Sequence, residues 1–169
     1  VALDPLNTNA RILLGVTYLF SGRIAEAREE LRQAIEILPN GTFAYLLASM
    51  VELADGKPEV ALDLAKKEPG RMHRLEGVAL AEDACGRRTE SDHALRALEA
   101  EFAEISPYKL AHIYAARGQA DEAFKWLDRA WEVRDPGICW TKVAVILRSL
   151  HQDPRWPRLM QKVWHSDAH

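Results

Sequence analysis

The sequence predicts an all-α fold, an α-solenoid of stacked helix hairpins. Three observations predict it: apolar residues recur at helical spacing, Gly and Pro divide the chain into short segments, and the division itself repeats. Alternating Val, Ile, Thr or aromatic runs, which would indicate strands, are nearly absent. The chain has 169 residues and a formal net charge of −3. A chain of this length can bury a substantial core.

The first elements are two helices separated by Gly22. Apolar residues from residue 9 to residue 37 recur at i, i+3, i+4 and i+7, the pattern of an amphipathic helix. The next helix, Phe43–Ala54, is apolar almost all round, which predicts burial on both sides. Its partner helix ends early, at Glu68-Pro69-Gly70.

The helix breaks repeat along the chain. Gly22, Gly56, Gly86 and Gly118 follow one another at intervals of 34, 30 and 32 residues. Five residues after each glycine lies a small residue, and nine after lies an aliphatic one: Ala27, Ala61, Ser91 and Ala123, then Leu31, Ala65, Leu95 and Leu127. Glycine can end a helix because it tolerates positive φ, and a small residue lets the next helix approach closely. Such hairpins bury both faces only by stacking on neighbours.

These residues resemble the tetratricopeptide repeat, whose period is 34 residues. The first unit carries Leu14-Gly15, Tyr18, Gly22, Ala27, Leu31, Ala34 and Pro39, and the fourth carries Leu110-Ala111, Tyr114, Gly118, Ala123, Leu127 and Ala130. The second unit is degenerate, with Glu52 in place of the tyrosine. The third unit keeps Gly86 and Leu95 but has Ser91 in place of the alanine. The resemblance implies a right-handed α-solenoid over residues 1–137. Leu3-Asp4-Pro5 resembles the end of a preceding repeat, so we expect a partial upstream repeat and four units.

Residues 138–169 are expected to form a Trp-rich C-terminal helical cap and tail. Four of the five tryptophans lie between residues 131 and 164, and we expect them to seal the open end of the solenoid. Asp153 is predicted to cap a helix that starts at Pro154. This tail is similar to the one that closes many bacterial tetratricopeptide domains. The similarity implies the regulatory C-terminal part of a bacterial nucleotide-cyclase or winged-helix protein.

Composition argues against several function classes. The chain is mildly acidic, so its composition indicates no positively charged surface that would bind nucleic acid. No apolar run approaches the ~20 residues of a membrane span. Cys85 and Cys139 lie far apart and outside any C-x-x-C pair, which favours a reducing cytoplasm. Glycine-rich phosphate loops are missing, so no cofactor is expected.

Catalytic and metal-binding residues are not expected either. Glu90 and His93 share a helical face but lack a visible third ligand, whereas a structural metal needs about four. Ser91-Asp92-His93 contains the residue types of a catalytic triad, yet adjacent residues point in different directions around a helix. His165 and His169 are expected in a frayed tail. We therefore predict that this segment is not itself an enzyme.

The candidate binding surface is the concave face, which the first helix of each hairpin lines in a solenoid. By repeat phase it comprises Ile12, Val16, Leu19 and Phe20 in the first unit, Phe43, Leu46, Met50 and Leu53 in the second, His73 and Glu76 in the third, and Tyr108 and His112 in the fourth. The apolar part predicts a groove for an amphipathic helix or an extended peptide. The alternative is that these residues pack against an upstream repeat, against the C-terminal cap, or across a homodimer.

Two further modes of binding were considered, a clamp for a peptide carboxylate and a site for an anionic partner. Some family members hold a peptide carboxylate with a clamp of Lys, Asn and Arg, but here the matching positions carry Ile12, Val16, Leu46 and Met50. That mode of recognition is therefore not predicted. A separate basic cluster either binds an anionic partner or is ordinary solubility charge; it comprises Arg71, Arg74, Arg87 and Arg88.

Overall fold

A computed structural model describes residues 7–164 of the chain. Within these residues the regular structure is entirely helical and contains no strand. The helices are α1 (Thr8–Phe20), α2 (Ile24–Ile37), α3 (Ala44–Ala54), α4 (Pro58–Lys67), α5 (Arg71–Ala84), α6 (Arg88–Phe102), α7 (Pro107–Ala116), α8 (Ala120–Glu132), two 3₁₀ helices (Pro136–Trp140 and Val145–Leu150) and α9 (Trp156–Trp164). The predicted all-α fold of repeating helix hairpins is confirmed.

The chain divides into two compact units, residues 1–94 and residues 95–169, so the division falls within α6. In the first unit α1 packs against α2 and α3 against α4, while α5 contacts both α3 and α4. The approach of α1 and α2 is close at Gly15, where an added Cβ would lie 2.7 Å from Leu31 Cγ. A glycine at this position therefore permits the helix contact that the repeat pattern predicts.

The turns between paired helices share one hydrogen-bonded geometry. The four glycines have φ between 70° and 77°. In the first turn the N–H of Arg23 donates to the carbonyl of Tyr18 at 2.8 Å. Each of the other three turns contains the equivalent hydrogen bond. This is a Schellman motif, which satisfies the last carbonyls of a helix. Five residues on, the small residues predicted at the helix contacts are all fully buried: Ala27, Ala61, Ser91 and Ala123.

In the second unit the C-terminal segment shares a core with α7 and α8. Leu147, Leu150 and Leu159 are buried in one cluster with residues of that hairpin. Trp156 packs against this cluster, whereas Trp140 and Trp164 are 41% and 49% exposed. The tail thus extends the core of the last hairpin without burying all of its tryptophans.

Helix α9 begins at Trp156, two residues later than predicted. Asp153 Oδ1 accepts a hydrogen bond from the N–H of Arg155 at 2.9 Å. This bond closes a turn over the intervening Pro154, and helical geometry starts only after it. Asp153 is therefore not the residue directly before the helix, contrary to the prediction, but it still shapes the entry to α9 from three residues before Trp156.

Some sequence expectations lie outside the described residues, namely Leu3-Asp4-Pro5 and the histidines at 165 and 169. Across residues 7–164, none of the helices combines the length and the apolar character that a bilayer span requires.

Candidate functional site

The predicted binding residues of the first unit lie on or next to α1, α3 and α5, the first helices of successive hairpins. Helix α3 contacts both α1 and α5, so residues of all three helices adjoin one another within this unit. Four of these residues are buried, and they hold the helices together: Val16, Leu19, Leu46 and Glu76. Leu46 lies against Gly77 of α5, where an added Cβ would be 3.2 Å from Leu46 Cδ1.

The other six predicted residues of this unit are half-buried and present part of their surface: Ile12, Phe20, Phe43, Met50, Leu53 and His73. The rings of Phe43 and His73 meet, with centroids 5.0 Å apart and planes tilted by 45°. Ile12, Phe20 and Met50 pack at the margin of the first-unit core. We call these six residues the first-helix surface. Leu53 joins it from a separate small cluster around Ala61.

A buried carboxylate positions Phe43 at the start of α3. Glu68 is fully buried, and both its oxygens lie 3.0 Å from the backbone nitrogen of Phe43. It also accepts hydrogen bonds from the N–H groups of Leu46 at 3.2 Å and Gly70 at 3.0 Å. The first N–H groups of a helix lack partners within the helix and carry a partial positive charge. Glu68, at the end of α4, therefore caps α3 from across the hairpin.

The backbone of Phe43 has φ of 82°, which is unusual for a residue with a side chain. The hydrogen bonds to Glu68 fix this conformation and so hold the Phe43 ring beside His73. The sequence predicts that this helix begins at Phe43. In the structure α3 begins at Ala44, and Phe43 is the residue before it.

The second unit repeats the capping arrangement. Asp135 is buried and accepts hydrogen bonds from the N–H of Tyr108 at 3.0 Å and of Gly137 at 2.8 Å. We call these two arrangements, at Glu68 and at Asp135, the carboxylate clasps. In both, the acid is followed by Pro and Gly, as Glu68-Pro69-Gly70 and Asp135-Pro136-Gly137. The recurrence of an acidic residue followed by Pro-Gly was the signal in the sequence that could have indicated both clasps.

The predicted residues of the second unit are Tyr108 and His112. Their rings meet edge to face, with centroids 4.4 Å apart. Tyr108 is buried, and its ring lies so close to Gly137 that an added Cβ there would be 2.4 Å from Tyr108 Cδ1. Tyr108 therefore packs within the unit, while half-buried His112 retains some accessible surface.

In the predicted basic cluster, Arg74, Arg87 and Arg88 bind carboxylate or carbonyl groups of the first unit. Arg87 binds both carboxylate oxygens of Glu59, at 2.9 and 3.0 Å, and also binds the carboxylate of Glu82. The hydrogen bond from Arg87 lowers the pKa of Glu59. Arg88 binds Asp83 at 2.8 Å, and Arg74 donates to the carbonyl of Glu68 at 2.6 Å. These guanidinium groups serve contacts within the first unit, which argues against an anion site.

Sequence reasoning missed a groove of about 390 Å³ between α2, α3 and α4. Its lining comprises the apolar or aromatic Ile35, Tyr45, Ala48 and Leu64 and the charged Arg28, Arg32, Glu36, Glu52 and Lys67. At its end Arg28 binds the buried Glu52 at 2.6 Å and Asp55 at 2.7 Å. Glu52 lies where the repeat pattern has a tyrosine. This departure from the pattern was the signal in the sequence that could have indicated the groove.

No cluster of three or more His, Cys, Asp or Glu side chains in the described part of the chain is arranged to hold a metal ion. Cys85 and Cys139 are free thiols.

Comparison with known proteins identifies one repeat directly. No curated protein matches the chain. Residues 8–40 match the family model of the tetratricopeptide repeat, and these residues are the α1–α2 hairpin with the loop that follows it. The match and the repeating hairpins together support a protein of the tetratricopeptide type.

Proposed function

We propose that this chain is a non-catalytic protein-binding module that holds a peptide or helix on the first-helix surface. Tetratricopeptide repeats generally mediate protein–protein interaction, and the α1–α2 hairpin is such a repeat. The observation that carries the proposal is the row of half-buried apolar and aromatic side chains on α1, α3 and α5 within one unit. Accessible apolar side chains grouped on one part of a protein are typical of interaction sites.

The side chains of the surface indicate the chemistry of its partner. Phe43 and His73 offer two rings whose positions are fixed by contact, and the flexible thioether of Met50 adapts to different shapes. A partner that presents apolar residues along one face of a helix, or on alternate positions of an extended strand, complements them. In the second unit, His112 is a separate candidate for a polar contact.

We further propose that the chain is the regulatory C-terminal part of a bacterial cytoplasmic protein that also contains a nucleotide-cyclase or winged-helix domain. The resemblance of the C-terminal tail to those proteins supports this proposal. In that setting the first-helix surface binds either another protein or a neighbouring domain of the same protein.

A homodimer is the second candidate function, and α1 favours it. Leu13 is 56% exposed on α1, whereas Leu47, one 34-residue period later on α3, is 4% exposed. Leu47 belongs to the core that α3 shares with α2. The equivalent face of α1 can therefore accept a helix, and a second copy of the chain supplies one. Light scattering over a range of concentrations tests this, with Leu13→Glu expected to keep the chain monomeric.

The test of the principal proposal is selection of binding peptides from a displayed random library against the purified chain. Met50→Glu should abolish binding of the enriched peptides, because it places a charge in the apolar surface. Phe43→Gly should weaken binding by loss of the ring, while glycine tolerates the φ of 82°.

The matched control is Val60→Glu, which makes the same kind of change at an exposed position on α4. Circular dichroism checks that each variant is folded. Failure to enrich any peptide, or equal loss of binding in Met50→Glu and Val60→Glu, would reject the first-helix surface as the binding site.

A further inference from the structure

The C-terminal helix α9 presents its apolar side chains at the spacing of a helix that binds in a groove. The residues at i, i+3, i+4 and i+7 all join the core cluster of the second unit, and they are Trp156, Leu159, Met160 and Val163. Of the nine residues of α9, all of which the structure describes, only Leu159 is fully buried. Helix α9 thus packs on the second unit by one apolar face, in the manner of a bound amphipathic helix.

Two ion pairs align α9 with α8. Arg155, directly before α9, binds Asp121 Oδ1 at 2.7 Å, and Lys162 binds Asp128 Oδ1 at 2.7 Å. The two cations are seven residues apart, and so are the two aspartates. Seven residues are about two helical turns, so the two helices run side by side in the same direction. Arg155 Cζ also lies 4.3 Å from the centre of the Phe124 ring. We call the face of α8 between these aspartates, which includes Phe124, the α9 site.

The charges on the two sides of this contact are opposite. Helix α8 carries four acids and two cations. Both cations have acidic partners other than the two aspartates of the α9 site: Lys125 pairs with Glu122 at 3.2 Å, and Arg129 pairs with Glu104 and, at 3.4 Å, with Glu132. Residues 153–164 carry three cations and one acid, and that acid binds an arginine of the same segment. The α9 site is therefore acidic, and the helix that covers it is basic.

The attachment of α9 is weak. A helix of nine residues is not stable by itself, so α9 is helical only while it is bound. Its ion pairs are open to solvent, since the Asp121 side chain is 93% exposed and that of Asp128 is 57% exposed, and exposed pairs add little stability. Residues of α7 and α8 themselves form most of the shared core. Helix α9 can therefore leave without opening that hairpin.

We propose that α9 is a displaceable cap, and that the α9 site binds a basic amphipathic helix of a protein partner in its place. Such a helix carries apolar side chains at i, i+3, i+4 and i+7 and cations at i−1 and i+6, the arrangement that α9 itself shows. The inference rests on the proposed protein-binding function for the class of partner, but it uses the second unit and not the first-helix surface. The bound α9 keeps the site closed until a partner competes for it.

The test uses two peptides and the isotope-labelled full chain, whose amide chemical shifts are followed. The first peptide has the sequence of residues 153–164. The second shares with it only the apolar spacing and the two flanking cations, with Ala and Gln elsewhere. In the wild-type chain an excess of either peptide should release α9, so that the signals of Leu159 and Met160 move to unfolded positions. In the Leu159→Glu chain each peptide should bind about tenfold more tightly, because the competing helix is weakened.

Charge reversal on α8 tests the pairing. In the Leu159→Glu chain, adding Asp128→Lys should weaken binding of the first peptide about fivefold, and a peptide with Lys162→Asp should restore it. Glu122→Lys is the matched control. It makes the same change in net charge on another face of α8, where Glu122 pairs with Lys125, and should weaken binding much less.

Circular dichroism checks that each variant is folded. If Leu159→Glu is not folded, Lys162→Glu takes its place, because it loosens α9 at an exposed ion pair alone, and the second peptide should then bind more tightly than to the wild-type chain. Met50→Glu should leave binding of both peptides unchanged, which separates this proposal from the one for the first-helix surface.

Any of three results would overturn the proposal: no binding of either peptide to the loosened chain, equal weakening by Asp128→Lys and Glu122→Lys, or no recovery with the charge-swapped peptide. Loss of the α9 signals as the chain concentration rises, without any peptide, would identify a second copy as the occupant and would likewise overturn the assignment to a partner helix.

Discussion

The carboxylate of Glu68 holds the backbone N–H of Phe43 with both of its oxygens, each 3.0 Å from the nitrogen. Glu68 follows α4 and Phe43 precedes α3, so the contact joins the two ends of one hairpin. A buried charge is stable only when it is well hydrogen-bonded, and here backbone N–H groups at the positive end of α3 provide that environment. The clasp thus fixes a helix start that also positions a residue of the first-helix surface.

Glu68→Ala is expected to lower the free energy of unfolding by about 2–4 kcal/mol, because it leaves two N–H groups at the start of α3, and the N–H of Gly70, without this acceptor. Glu68→Gln retains one acceptor oxygen and should cost less. Urea unfolding followed by circular dichroism measures both changes. Asp63→Ala, an exposed acid on the same helix, is the control, and a loss of equal size in that variant would contradict the capping role of Glu68.

Ala27→Arg should unfold the first hairpin, because Ala27 is fully buried at the contact between α1 and α2. Overpacking and burial of a charge together cost about 4 kcal/mol or more. Thermal denaturation followed by circular dichroism is the measurement. Ala25→Arg changes an exposed position of the same helix and should melt close to wild type. Similar melting of both variants would show that the helix contact is assigned to the wrong residues.

Arg28 and Glu52 should show coupling in a double-mutant cycle. The Glu52 side chain is 8% exposed, and Arg28 is its ion-pair partner at 2.6 Å. Arg28→Ala therefore leaves a mostly buried carboxylate without this partner. We expect a coupling energy of about 1–2 kcal/mol from urea unfolding of the two single variants and the double variant. Additive effects would mean that the pair contributes no more than an exposed one. The pair Arg23 and Glu26, both half-exposed on the surface, provides that comparison.

Asp153 should contribute to stability in a pH-dependent way. Hydrogen bonds from the Arg155 side chain, and then from its backbone N–H, lower the pKa of Asp153 from 3.8 to about 2. A carboxyl whose pKa is lowered on folding stabilises the protein above its unfolded pKa, and this contribution disappears as the pH falls through the folded value.

The difference in urea midpoint between wild type and Asp153→Asn should therefore be full above about pH 5 and shrink towards zero near pH 2. Persistence of the whole difference at the lowest pH would show that the carboxylate charge is not its source. Direct titration of the Asp153 carboxyl carbon by NMR checks the lowered pKa independently.

The sequence predicted the hairpins well because their determinants are local. A glycine that must adopt positive φ, followed at a fixed distance by a small residue, specifies a turn and a helix contact without knowledge of the rest of the chain. Gly22 and Ala27 behave in this way, and so do their counterparts in the later repeats. The ends of helices were predicted less well where a side chain from another part of the chain determines them. Glu68 determines the start of α3 in this way.

The candidate site was less predictable because repeat phase gives the face of a helix but not its exposure. Leu46 lies on the predicted face, yet α5 approaches it closely at Gly77 and buries it. A substitution such as Leu46→Glu would therefore disrupt folding before it could report on binding, whereas Met50 remains accessible. The groove beside Tyr45 depends on three helices at once, and no periodicity within a single helix indicates it.

The clasp at Glu68 also has a kinetic consequence for the second hairpin. Separation of α3 from α4 would remove the N–H groups of Phe43 and Leu46 from the buried Glu68 carboxylate and leave it the N–H of Gly70, so partial openings are disfavoured. The amide hydrogens of α3 and α4 are then expected to exchange with solvent together, in one cooperative event. The first hairpin ends in Leu38-Pro39-Asn40, without an acid at the corresponding place, and is free to fray from its end.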